Sequence, residues 1–123
     1  MSLLFFYNQV VPAGETATSD MWYIGTTNSS YPTLTIPTQN LFVKMDNNPN
    51  VQLQVAVTNN TEFQIPRPLN ADFIPMTEPD GTPINISQNT IRTFNSLNGL
   101  WVRAYIDNSE GISPATVTVQ LAS

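Results

Sequence analysis

The chain contains neither cysteine nor histidine. The first absence removes disulfides and thiolate metal sites as sources of stability. The second removes the side chain most often used as a general base and as a metal ligand. Charge is scarce as well: charged residues make up 11% of the 123, where about 25% is usual. The basic residues are Lys44, Arg67, Arg92 and Arg103 alone. They are scattered and form no stripe to neutralise a phosphate backbone, so no nucleic-acid partner is expected. Glycine is sparse and no phosphate-cradling loop is present, which leaves a nucleotide site without support. No apolar run is long. The longest at the N-terminus, Leu3-Leu4-Phe5-Phe6-Tyr7, lacks a basic leader and breaks at Asn8-Gln9. That is too short for a signal core or a membrane span. Synthesis in the cytoplasm without a signal peptide, and no membrane partner, are the expectations.

What fills the chain instead is uncharged and polar. Thr, Asn, Ser and Gln replace the usual surface charges, Thr suiting strand faces and Asn suiting turns. The net charge is −5 and the hydrophobic fraction 41%, well above the disordered range. At this length a single domain over residues 1–123 is expected, and such a domain buries enough surface to hold its own core.

Short alternating runs recur along the sequence. Val117, Val119 and Leu121 alternate with Thr116, Thr118 and Gln120, and Val102, Ala104 and Ile106 alternate with Trp101, Arg103 and Tyr105. A period of two gives each strand one buried face. Leu41, Val43 and Met45 repeat the pattern before the turn Asp46-Asn47-Asn48-Pro49-Asn50. Val51, Leu53, Val55 and Val57 repeat it after that turn, so these two runs are expected to form a central hairpin. Thr33 to Ile36, between two prolines, reads as a short edge strand, and Thr61 to Ile65 as another strand with Phe63 and Ile65 inward. Pro66-Arg67-Pro68 opens a long connection, of the kind that crosses between sheets. No helix has caps and an apolar stripe. The expected fold is all-β: one β-sandwich of about seven to nine mostly antiparallel strands, with a jelly-roll or immunoglobulin-like connection. Its core should hold Leu53, Val55, Val57, Val102, Ala104, Ile106, Val117, Val119 and Leu121.

Chemistry-bearing constellations are few. Glu78 and Asp80 flank a proline in a turn, which is better explained by Asp80 capping its own backbone before Gly81 than by a catalytic carboxylate pair. Asp46 to Asn50 and Asp107-Asn108-Ser109-Glu110-Gly111 offer oxygen ligands without the spacing of a calcium loop. The matches to the N-glycosylation pattern at Asn28, Asn59 and Asn85 are what so much Asn, Ser and Thr produces by chance. No catalytic residue, cofactor or metal is expected.

Two sets of residues remain. Leu3, Leu4, Phe5, Phe6 and Tyr7 leave a strand with no polar face. Such a strand is sandwiched in its own domain, or residues 1–11 form an arm against another subunit. Trp22, Tyr23, Tyr31, Trp101 and Tyr105 suit a sugar-stacking platform, a protein interface, or the plugged ends of a sandwich. The expectation is therefore a non-enzymatic structural or interaction module. It would be a small, virion-associated subunit of a larger particle, such as a decoration, head-fibre or spike protein, and a homo-oligomer or a partner of other particle subunits. A carbohydrate-binding module for host attachment, taking a glycan, is the alternative.

Overall fold

A computed structural model describes residues 2–25, 38–58, 65–95 and 97–122. Nine strands are described: β1 (Ser2–Val11), β2 (Thr16–Thr18), β3 (Trp22–Tyr23), β4 (Thr38–Met45), β5 (Asn50–Ala56), β6 (Ile74–Pro75), β7 (Thr90–Asn95), β8 (Trp101–Asp107) and β9 (Ala115–Ala122). They form two antiparallel sheets packed face to face, a β-sandwich. One sheet runs β1-β9-β4-β7. The other runs β2-β8-β5-β6, with β3 also paired to β8. β2 and β3 are two pieces of one interrupted strand. Thr16–Thr18 lies against Asp107–Tyr105 and Trp22–Tyr23 against Val102–Trp101. Between them Ser19 keeps the ladder, its N–H donating to the Ala104 carbonyl at 3.0 Å and its Oγ accepting from the Ala104 N–H at 2.8 Å.

The alternation of β4, β5, β8 and β9 builds the core. Leu41, Val43, Val51, Leu53, Val102, Ala104, Ile106, Val117, Val119 and Leu121 are all buried in it. Two expectations are corrected. The run 51–58 does not form a hairpin with 41–45, because β4 and β5 lie in opposite sheets. Alternation cannot separate the two cases: facing walls of one core show the same pattern as neighbours in one sheet. Val57 is not core but 68% exposed. Its strand ends at Ala56, which pairs with Trp101, the first residue of β8, so among the described residues no partner strand extends past that point. The stretch 33–36, and 61–64 with Phe63, lie outside the described residues. Ile65 is half-buried and not in a strand.

β1 resolves its apolar sequence by two irregularities. Leu4 pairs with Gln120 and Phe6 with Val119, so Phe5 is an extra residue on β1. A second shift falls between Phe6 and Gln9, where Asn8 takes a left-handed φ of 46°. An inserted residue turns neighbouring side chains to the same side, and Phe5 and Phe6 are both buried. Asn8 holds the second irregularity in place, its N–H donating to Thr118 Oγ1 at 2.9 Å. β1 is thus the edge strand of its own sheet, annealed to its own β9. Leu4 and Tyr7 are left facing outward.

The long connection after Pro66 covers the outer face of the five-stranded sheet. Arg103 points out of β8 beside Gln54, yet it is buried. Its Nε donates to Gln54 Oε1 at 2.9 Å and one terminal nitrogen to Asn70 Oδ1 at 2.6 Å. Its guanidinium lies 4.1 Å from the centre of the Phe73 ring. Farther on, Ile84 and Ile86 close the core, with Ile86 bridged to Val51 at the free edge of β5.

The pairings nest. β1 pairs β9, the β2/β3 strand pairs β8, β4 pairs β7 and β5 pairs β6. The outermost strands in sequence meet, then the next pair inward, down to β5 and β6.

Candidate functional site

The outer face of the four-stranded sheet is the surface that its sequence does not account for. In an exposed sheet face, alternation should bring polar residues outward. On β9 it does, with Thr116, Thr118 and Gln120. Elsewhere it brings out Leu4 and Tyr7 on β1, Phe42 on β4 and Ile91 on β7, all exposed. The register sets three of them in one row: Leu4 opposite Gln120, Gln120 opposite Phe42, Phe42 opposite Ile91. Tyr7 at 71% and Ile91 at 69% exposure are open to solvent. Around the row the polar groups bond to one another, Thr93 Oγ1 to Asn40 Oδ1 at 2.8 Å and Thr118 Oγ1 to Asn8 Oδ1 at 3.2 Å.

Because β9 carries small outward side chains between larger ones, the face is grooved. A groove of about 500 Å³ runs over Thr118 and Gln120, walled by Leu4, Tyr7, Phe42 and Lys44. A second, of about 330 Å³, lies across Phe42 toward Ile91 and Asn89. Lys44 stands between them and makes no ion pair among the described residues. The one ion pair among the described residues joins Arg92 to Glu78 at 2.8 Å. No carboxylate occurs on β1, β4, β7 or β9, in a chain of net charge −5.

The residues singled out from sequence are distributed as follows. Leu3 packs against the core, Phe5 and Phe6 lie within it, and Leu4 and Tyr7 are on the grooved face. Tyr23 and Trp101 meet on the five-stranded sheet, ring centres 5.6 Å apart at 55°, with Trp101 almost fully covered. Trp22 is paired opposite the core residue Val102, on the other side of β3 from Tyr23. Tyr105 is half-buried two residues beyond Arg103. Tyr31 lies outside the described residues. Phe42, Lys44 and Ile91 were not singled out from sequence. The signal was present in the apolar residues at outward positions of alternating strands, but which side faces out depends on the partner sheet.

The two oxygen-rich turns come together at one end of the sandwich, around a polar depression of about 620 Å³ lined by Asn48, Asn50, Asp107 and Glu110 among others. Their strongest ligands are already engaged. Asp46 Oδ1 accepts from the Thr116 N–H at 2.7 Å. Asp107 Oδ1 accepts from the Ser109 N–H at 2.9 Å, and the Ser109 side chain and backbone hold the Asp107 carboxyl below its ordinary 3.8. Asn108 is buried, and its amide donates to the carbonyls of Val11 (3.0 Å), Pro12 (3.3 Å) and Ser113 (3.0 Å). Among the described residues no three acidic side chains converge on a point. Glu78 pairs with Arg92, while Asp80 accepts from the Thr82 backbone and hydroxyl, which lower its carboxyl. At Asp80 that is turn chemistry. The chain matches no protein-family model, no curated protein and no solved structure.

Proposed function

We propose that this protein is a non-enzymatic structural module, a small β-sandwich subunit of a larger particle such as a virion decoration, head-fibre or spike protein. It assembles with copies of itself or with other particle subunits. One observation carries the reading: a four-strand face free of carboxylates that exposes Leu4, Phe42 and Ile91 in register, with Tyr7 beside them. Contiguous exposed apolar surface on a soluble domain marks a contact. Aromatic residues with few charges are what interface centres contain. Two further features support it. We read the nested pairing as a jelly-roll connection, a double-sheet arrangement used in capsids and lectins. The low surface charge also lets neighbours pack closely.

The test is sedimentation of the wild type against a variant carrying Leu4→Ser, Phe42→Ser and Ile91→Ser. All three side chains point away from the core, so the variant should fold and lose association. A wild type that stays monomeric at high concentration and binds no particle would refute the reading.

A carbohydrate-binding reading has its own observation. Tyr7 and Phe42 stand beside Asn8, Gln120 and Thr118 in one groove, the mix of aromatic face and amide or hydroxyl groups that holds a sugar. Signals on a glycan array that vanish with Tyr7→Ala and Phe42→Ala, in a monomeric protein, would favour it.

A further inference from the structure

The assembly reading leaves the occupant of the grooved face unspecified, and the opposite half of an answer stands at the end of the same molecule. The turn between β8 and β9 carries Ile112, which is 98% exposed, and Glu110, exposed and without an ion pair among the described residues. Covering that isoleucine with apolar side chains would take almost all of its apolar surface out of water, a gain still open to the folded chain. This turn is not a loose tip. Asn108 ties it to the end of β1 through Val11 and Pro12 and to its own far side through Ser113. The Gly111 N–H donates to the Asn108 carbonyl at 3.0 Å. A rigid turn presents its knob in a fixed position, at low entropic cost on binding.

We infer that the turn Ser109–Ser113 of one copy docks on the outer face of the four-stranded sheet of the next, a step that rests on the assembly reading above. The two surfaces are complementary in three respects. The knob is aliphatic, and the grooves on either side of Phe42 are walled by Leu4, Tyr7 and Ile91. The knob carries a carboxylate at Glu110 and the grooves share an ammonium at Lys44, neither in an ion pair among the described residues. The grooves, at about 500 and 330 Å³, admit an isoleucine side chain with its turn. Pairing of two identical faces fits less well. It sets Lys44 in the field of its own counterpart and leaves Ile112 uncovered. Because knob and groove are different patches of one surface, the contact is head-to-tail. Such contacts close into rings when the rotation allows and otherwise propagate as filaments.

A charge swap decides the matter. Sedimentation velocity on Lys44→Glu, Glu110→Lys, the double swap Lys44→Glu/Glu110→Lys, and Ile112→Asp reads it directly. All three positions are on the surface, and circular dichroism checks that each variant folds. Each single variant should weaken association about tenfold or more, and the double swap should recover most of that loss. A mixture of Lys44→Glu and Glu110→Lys chains should associate more strongly than either alone. Singles that associate as the wild type does, while the Leu4/Phe42/Ile91 variant does not, would overturn the turn-in-groove contact and leave the assembly reading standing. A wild type monomeric at every concentration would overturn both.

Discussion

Replacing Asn108 with alanine tests a buried polar junction at one end of the sandwich. Its Nδ2 donates to three backbone carbonyls, Val11 at 3.0 Å, Pro12 at 3.3 Å and Ser113 at 3.0 Å, and the residue is buried. Those carbonyls close the end of the sandwich where β1 stops and the β8–β9 turn begins. An intramolecular hydrogen bond contributes about 1 kcal/mol net, and a buried acceptor left without a donor costs about 1–3 kcal/mol. The two shorter bonds and part of the longer one sum to a loss of about 3 kcal/mol. At roughly 4 °C per kcal/mol for a domain of this size, the thermal midpoint should fall by about 12 °C. Asn108→Asp should be no better, since it removes the amide donor and turns a carboxylate toward three carbonyl oxygens. Gly111→Ala should act at the same place, because a Cβ there would sit 2.0 Å from Asn108 Oδ1 and displace the side chain. Urea denaturation followed by tryptophan fluorescence measures all three variants. A loss under about 1 kcal/mol for Asn108→Ala, with an unchanged denaturant slope, would show that the amide is not holding the junction.

Other predictions follow from burial and charge. Leu121→Ala, in the centre of the four-stranded sheet, should cost about 2–5 kcal/mol, whereas Val57→Ala should fall within about 0.5 kcal/mol of wild type, as read by chemical denaturation. Arg103→Ala should cost about 2–3 kcal/mol through its lost charged hydrogen bonds and release the segment around Asn70 and Phe73. Limited proteolysis should then cut between residues 66 and 73 in the variant and not in the wild type. Asp107 is held below its ordinary 3.8 by Ser109, so the folded form binds that proton less readily than the unfolded chain. Its contribution is present above the unfolded value and is lost as pH falls through the folded one. The thermal midpoint of the wild type should therefore fall below about pH 4 more steeply than that of Asp107→Asn; parallel acid limbs would count against it.

The alternation of Val117, Val119 and Leu121, of Val102, Ala104 and Ile106, and of Leu41 and Val43 determined by itself that the chain is all-β and which of those side chains are buried. Strand backbone has a period of two, and water enforces one apolar face. The turn at Asp80-Gly81 was equally legible, because its hydrogen bonds are local. Three things were decided only in the folded chain. Period-two patterning is blind to which strand lies alongside, so it could not tell that β4 and β5 face each other across the core. It also assumes unbroken register, whereas two irregularities in β1 turn Phe5 and Phe6 to the same side and leave Leu4 and Tyr7 outside. Finally, the row from Leu4 through Phe42 to Ile91 draws on β1, β4 and β7, which sequence scatters and only long-range pairing aligns. A surface patch depends on distances in space, and backbone hydrogen bonds between sequence-distant strands set those distances.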